Sequence, residues 1–268
     1  MITLEDIGIV FDAHTPDENI ALKNINLKIN KGDFITVIGS NGAGKSTLYD
    51  VIAGRKQPTS GRIMLEDENG KERDITHDPE YKRALYIGRI FQNPLLGTAG
   101  KMRLEDNMMI CSRKGWKGLR ISLNNRMRAY FREQLSVLNM GLENRLNDNV
   151  NLLSGGQRQA LTLLMAVMSK PALLLLDEHT AALDPANAKI VMDLTRKFAK
   201  DYGLTVMMVT HNMQHALDYG TRLLMMDAGE IILDISEAEK AKLTMDDLVK
   251  RFKEIKQHGL VNDQMLLQ

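Results

Sequence analysis

The chain has 268 residues, room for one large domain or for a domain carrying an inserted subdomain. Its 44% hydrophobic content supports a sizeable core, and 35 basic against 34 acidic residues exclude a global field that would recruit nucleic acid or an anionic membrane. The single cysteine, Cys111, excludes an internal disulfide and fits a reducing compartment. The opening Met1-Ile2-Thr3-Leu4-Glu5-Asp6 lacks the basic-then-apolar order of a signal peptide. No apolar run approaches the roughly 18 residues of a membrane span, so work at a membrane would need another polypeptide.

Ile7, Ile9 and Phe11 alternate, as do Ile25, Leu27 and Ile29, which predicts two half-buried strands joined through the turn-rich 14–19. A second turn, Asn30-Lys31-Gly32-Asp33, leads into an apolar strand over 33–38. Gly39-Ser40-Asn41-Gly42-Ala43-Gly44-Lys45-Ser46-Thr47 follows, and 47–53 reads as a helix start. Gln57-Pro58-Thr59-Ser60-Gly61 closes that region, 62–66 returns as a strand, and the charged 67–83 reads as loop. Residues 85–91 predict a buried strand ending at Gln92-Asn93-Pro94.

From 93 to 168 the character changes to a helical insertion, with Met127, Phe131, Leu135 and Leu138 at helical spacing. Its most basic stretch, Arg113 to Arg120 around Trp116, could suggest nucleic-acid contact. Near-neutral overall charge favours a solvated loop with Trp116 tucked inward, so no nucleic-acid partner is expected. Leu153-Ser154-Gly155-Gly156-Gln157-Arg158-Gln159 opens a helix running to about 168. Residues 172–176 are a fully apolar strand ending in Asp177-Glu178, and Pro185 starts a helix. Residues 205–209 predict a strand ending at Thr210-His211. A hairpin joins 222–227 to 230–235 through Ala228-Gly229, and 246–257 predict a charged amphipathic helix.

The glycine-rich turn between strand and helix fits G-x-x-x-x-G-K-[ST], which aims backbone N–H groups and a helix N-terminus at phosphate. Lys45 would reach the β- and γ-phosphates and Ser46 would hold Mg²⁺. Asp177, at a buried strand end, suits the second Mg²⁺ contact, while Glu178, expected to face the other way along extended backbone, could orient or deprotonate water. Gln92 could contact Mg²⁺ and that water, and His211 could donate to the γ-phosphate. Ser154-Gly155-Gly156 at a helix start is a second anion-binding element. Two anion sites beside one nucleotide cradle is an odd inventory for a monomer.

Taken together and in this order, these motifs resemble the nucleotide-binding subunit of ATP-binding cassette (ABC) transporters over residues 1–234. The resemblance makes Gly39 to Thr47 the Walker A, Gln92 the Q-loop residue, and Leu153-Ser154-Gly155-Gly156-Gln157 the family signature. Leu173 to Asp177 become Walker B with catalytic Glu178, Ala181-Ala182-Leu183-Asp184 the D-loop, and His211 the switch histidine. It implies an α/β fold: a RecA-like P-loop NTPase core with an N-terminal antiparallel β subdomain and an inserted helical subdomain. The expected division is a core of 1–92 and 169–235, a helical signature subdomain of 93–168, and a C-terminal tail of 236–268.

The resemblance further implies ATP and Mg²⁺ as ligands and head-to-tail pairing of two copies, each signature closing over the other's Walker A. Phe11 occupies the place of the adenine-stacking aromatic. Further implied are separate permease subunits, an extracytoplasmic substrate-binding protein, and a cytoplasmic position on the inner face of the membrane. His179, where most relatives have proline, and the run Ala160-Leu161-Thr162-Leu163-Leu164-Met165-Ala166 resemble a bacterial subgroup labelled tryptophan/tyrosine-type uptake ATPases. An importer motor is therefore expected. A cytosolic ABC ATPase without a permease and a non-catalytic nucleotide sensor are the alternatives.

Overall fold

The computed structural model describes residues 1–67, 69–112 and 123–254. In chain order its elements begin with β1 (Ile2–Phe11), β2 (Asn19–Ile29), β3 (Phe34–Gly39), α1 (Lys45–Ile52), β4 (Ser60–Glu66), β5 (Glu72–Asp74), α2 (Glu80–Arg83) and β6 (Ile87–Ile90). Then come α3 (Leu104–Cys111), α4 (Asn125–Ser136), α5 (Gly155–Met168), β7 (Leu173–Asp177) and α6 (Pro185–Tyr202). The last are β8 (Val206–Val209), α7 (Met213–Asp218), β9 (Arg222–Asp227), β10 (Glu230–Ile235) and α8 (Glu237–Lys240). Residues 245–254 are helical as well.

The strands form two sheets, one antiparallel in the order β2-β1-β4-β5 and one in the order β10-β9-β3-β8-β7-β6. In the second sheet β9, β3, β8, β7 and β6 run parallel, and β10 closes one edge antiparallel to β9. The apolar runs explain why this sheet is covered on both sides. Along β7, Leu174 and Leu176 enter one core with Phe131, Leu135 and Leu164 of the helical region, while Leu173 and Leu175 enter another with Leu48 and Ile52 of α1. β8 divides its residues the same way, Val206 and Met208 against Met207 and Val209. A continuous apolar strand is thus a period-of-two pattern with both faces apolar, as parallel sheets require. Burying each such side chain stabilises the fold by about 1.5–3 kcal/mol before entropy is counted.

The helix ends follow the residues that cap them. Ser154 and Gln157 form a reciprocal capping box at the start of α5, and Asp184 caps α6 ahead of Pro185. Gly203, at φ 58, ends α6 in the left-handed conformation that glycine adopts without strain.

Three expectations need correction. Residues 67–83 are not all loop, since they include β5 and α2. β5 is three exposed residues on a sheet edge, so it carries no apolar alternation to read. Arg83, fully buried in α2, donates to the carbonyls of Val51 and Ile52, closing the end of α1, and to those of Thr76 and Asp78. The strand predicted over 85–91 is shorter, Ile87–Ile90, because Leu85 and Tyr86 belong to the turn after α2, where their N–H groups donate to the carbonyls of Lys82 and Arg83. Glu178 is not extended: its φ is 47, so it begins a left-handed turn after β7 rather than continuing the strand.

Candidate active site

The parallel strands end level with one another. Val37 of β3 pairs with Val209 of β8, which pairs with Asp177 of β7, and Gln92 and His211 each follow two residues after β6 and β8. This is the carboxyl edge of an open α/β sheet, where ligands bind. The glycine-rich turn sits there between β3 and α1. Gly39, Gly42 and Gly44 have φ of 154, 80 and 94, and a Cβ on Gly39 would collide with the Met226 carbonyl. At Gly44 a Cβ would lie 2.6 Å from the Ala21 carbonyl, so this position must be glycine for the turn to close against β2.

Gly44 caps α1 without any side-chain acceptor, which leaves the first N–H groups of α1 for a ligand. Asn41, Gly42 and Ser46 are exposed, Ala43 is buried, and Thr47 is half-buried. Lys45 Nζ donates to the carbonyls of Gly39 at 2.8 Å and Ser40 at 2.9 Å, folding back over its own loop. Burial pulls the Lys45 ammonium below its usual range, while Glu178 and Asp177 push the other way. A phosphate fits this place: the turn offers backbone donors, a helix start without a side-chain cap and a desolvated cation, and no side chain beyond Cα fills the glycine positions.

Glu178 Oε1 lies 2.5 Å from His211 Nε2, while the Glu178 N–H donates to the Val209 carbonyl at 3.2 Å. Lys45, Asp177, Glu178 and His211 are therefore brought together. Gln92 is exposed at the mouth of the same edge, where Asn93 caps a short 3₁₀ turn at Pro94–Gly97. Phe11 lies under the Lys56 ammonium, 4.3 Å from its ring centroid.

The second anion element is built separately. Ser154 Oγ accepts from the Gln157 N–H at 3.2 Å, and Gln157 Oε1 accepts from the Ser154 N–H at 3.1 Å and from Arg145. The Gln157 side chain is thus committed to the cap, whereas the hydroxyl of exposed Ser154 only accepts there and can still donate. A Cβ on Gly156 would lie 2.5 Å from Asn187 Oδ1, which belongs to the residue that the Asp184 cap holds at 2.6 Å through its Nδ2. Gly155 stays exposed beside Leu183. The partners of Ser154 to Gln157 come from 140–145 and 183–187, and those of the glycine-rich turn come from β2, β9 and β10's turn. The structure does not join the two elements within one chain's hydrogen bonds among the described residues. The basic stretch Arg113 to Arg120 lies outside those residues.

Three residues were not singled out by pattern. Asp227, at the end of β9, accepts the Ser40 hydroxyl at 2.6 Å; like Asp177 it is a carboxylate terminating an apolar run, and that signal was readable. Arg89 bridges Asp50 and Asp177, as described below. His179 is buried, with Nε2 3.2 Å from Thr195 Oγ1, which ties the turn after Glu178 to α6.

Burial first, then repulsion from His215, lowers the His179 pKa to about 4. The folded chain keeps this ring neutral down to about 4, whereas the unfolded chain takes up the proton near 6.5. The unfolded state then binds more protons between these values, so the contribution is intact above 6.5 and is lost as pH falls towards 4. The loss is on the order of 3 kcal/mol. His179→Gln keeps a polar partner for Thr195 but cannot titrate, so denaturant unfolding at neutral and acid pH should show a shallower acid loss than in the parent. Equal losses in both proteins would contradict the assignment.

Comparison with known proteins places this geometry in context. The family description "ABC transporter" matches residues 22–181. A tyrosine transport ATP-binding protein of Clostridioides difficile is 38% identical over 257 residues, covering 94% of this chain and 98% of that protein. A methionine import ATP-binding protein of Streptococcus agalactiae is 31% identical, covering 92% of this chain and 68% of that protein. Among solved structures, the ADP conformation of MJ1267, an ATP-binding cassette of an ABC transporter, is 26% identical with a TM-score of 0.74, covering 94% of this chain and 98% of that one. A dimeric post-hydrolysis state of the cassette MJ0796 with ADP and Pi is 27% identical with a TM-score of 0.69, covering 88% of this chain and 99% of that one.

Proposed function

Since the chain belongs to the ABC transporter family, as an ATP-binding and ATP-hydrolysing cassette, we propose that it drives a bacterial importer as a homodimer on a separate permease. The observation that carries this is the gathering of Lys45, Asp177, Glu178 and His211 at one sheet edge, with the capped Ser154 tip held apart on other elements. Among the described residues no helix is long and apolar enough to cross a membrane.

In this reading the residues from Gly39 to Thr47 grip the phosphates of ATP, and Phe11 meets the adenine. Ser46, Gln92 and Asp177 would hold Mg²⁺, which supplies charge neutralisation on the phosphate oxygens. Glu178 takes the proton of the attacking water or orients it, and His211, now paired with Glu178, steadies the carboxylate and reaches towards the phosphate. Ser154, Gly155 and Gly156, fixed by Gln157, close over the glycine-rich turn of the other copy, with Asp184 beside that interface.

The domain division follows: 1–92 with 169–235 forms the catalytic core, 93–168 the helical subdomain, and 236–268 the tail. A cytoplasmic site on the inner membrane face and an extracytoplasmic binding protein complete the assembly. The tyrosine transport and methionine import names of the relatives support an amino acid as cargo. Affinity capture of the tagged chain from detergent-solubilised membranes tests the reading. Recovery of a multi-spanning polypeptide in fixed ratio is the expected result. Recovery of the chain alone, active and confined to the soluble fraction, would favour the permease-free alternative.

A further inference from the structure

Arg89 is a charge inside an apolar strand. Its neighbours Ile87 and Ile90 are buried, and its own side chain is only 10% exposed. A guanidinium in that position needs partners, and it has two carboxylates. Nη1 lies 2.6 Å from Asp50 Oδ1 of α1, and Nη2 lies 3.2 Å from Asp177 Oδ2 at the end of β7. Both carboxylates are themselves largely buried, at 16% and 14% side-chain exposure. The guanidinium carbon lies over the Phe91 ring, 4.9 Å from its centroid. Its Nε has no partner among the described residues, so the two carboxylates and the ring are what hold it.

We propose that Arg89 is a positioning residue for ATP hydrolysis: by bridging Asp50 and Asp177 it fixes the orientation of the carboxylate assigned to Mg²⁺ and ties it to the helix that follows the phosphate-binding turn. The inference rests on that assignment of Asp177.

Charge counting separates positioning from neutralisation. Two carboxylates and one guanidinium leave the cluster at a net −1, the charge of Asp177 standing alone. Asp50 makes the shorter contact with Arg89, at 2.6 Å against 3.2 Å for Asp177. Only Oδ2 is engaged by Arg89, which leaves Oδ1 outside that contact. Arginine suits the task because its fork presents two N–H groups in a fixed plane to two acceptors at once, which a lysine ammonium does not. Groups that orient metal ligands in this way usually govern metal affinity by 10–100-fold.

The same arginine sits three residues before Gln92, on the strand that leads to it. One side chain therefore links α1 and β7, which carry the proposed Mg²⁺ contacts Ser46 and Asp177, with β6, the strand that leads to Gln92.

The test measures the affinity of a fluorescent ATP analogue with Mg²⁺ and again in EDTA, and takes the ratio. Arg89→Met should lower that ratio about tenfold while leaving the EDTA affinity near the parent's. Asp50→Asn together with Arg89→Met removes both charges and leaves no unpaired Asp50; it should fold even if the single variant does not, and should show the same loss. A folded double variant whose ratio stays within about twofold of the parent overturns the proposal. Arg89→Lys should not restore the ratio, and full restoration would count against the two-pronged bridge. Asp177→Asn separates the two ideas. If it lowers the ratio while the Arg89 variants do not, the positioning role fails alone; if it leaves the ratio unchanged, the metal assignment fails beneath it.

Discussion

Glu178→Gln will bind Mg²⁺-ATP, turn it over at least about a hundredfold more slowly than the parent, and accumulate as a closed dimer. The amide keeps the size and one hydrogen-bonding oxygen of the carboxylate but cannot accept the proton of water. The geometry explains why this position is sensitive. The left-handed turn at Glu178 swings its carboxylate to His211, 2.5 Å away, and places it beside Lys45 and Asp177 rather than on the far face of the strand. Removing the charge should spare binding, because none of the phosphate-facing backbone donors depends on it. Phosphate release under single-turnover conditions, with size measured in the same sample, checks the result. Turnover at the parental rate would take the base away from Glu178.

Ser154→Arg gives the second large effect. The side chain now forms half of the α5 capping box and is exposed at the helix tip. An arginine there removes the cap, worth about 1 kcal/mol, and puts bulk and a cation where the partner's nucleotide is to be covered. Binding of ATP to a single chain should survive while hydrolysis is lost. Lys45→Ala fails for the opposite reason, through its own phosphate-binding turn. Mixed together, a dimer of the two variants carries one undamaged pairing of turn and tip if the elements act between chains, and none if they act within a chain. Random pairing of equal amounts then restores up to about one quarter of parental sites. Mixed dimers shown to form but devoid of activity would exclude action between chains.

The sequence made the fold readable wherever burial enforced a pattern. The four leucines before Asp177 identify a strand buried on two faces, and the structure shows them divided between two cores. Ser154 to Gln157 and Pro185 marked the starts of α5 and α6 in the sequence, and the structure adds the caps Asp184 and Gly203, which meet orphan backbone groups of α6. β5 and α2 escaped notice since their residues are polar edge and turn, and the reason they exist, Arg83 closing the end of α1, is a contact between distant segments.

The candidate site divides in the same way. Its glycines, lysine and acidic strand ends announce themselves through spacing. The turn at Glu178 did not, because a left-handed glutamate leaves no compositional trace. Nor did the Asp50–Arg89–Asp177 bridge, which joins positions 39 and 88 residues apart in the chain. His179 looked only like a larger polar replacement for proline, and its bond to Thr195 on α6 explains it as a tether.

The central claim is that ATP is enclosed between two chains, and chemical cross-linking tests it most directly. One chain would carry Asn41→Cys and the other Gly155→Cys, both exposed positions, each with Cys111→Ser and Glu178→Gln to remove the native thiol and hold the closed state. Addition of Mg²⁺-ATP and a short thiol cross-linker should join the two different chains, with no joining when nucleotide is left out. No joining of the two chains, with cross-linking inside a further variant that carries both Asn41→Cys and Gly155→Cys, would contradict the account.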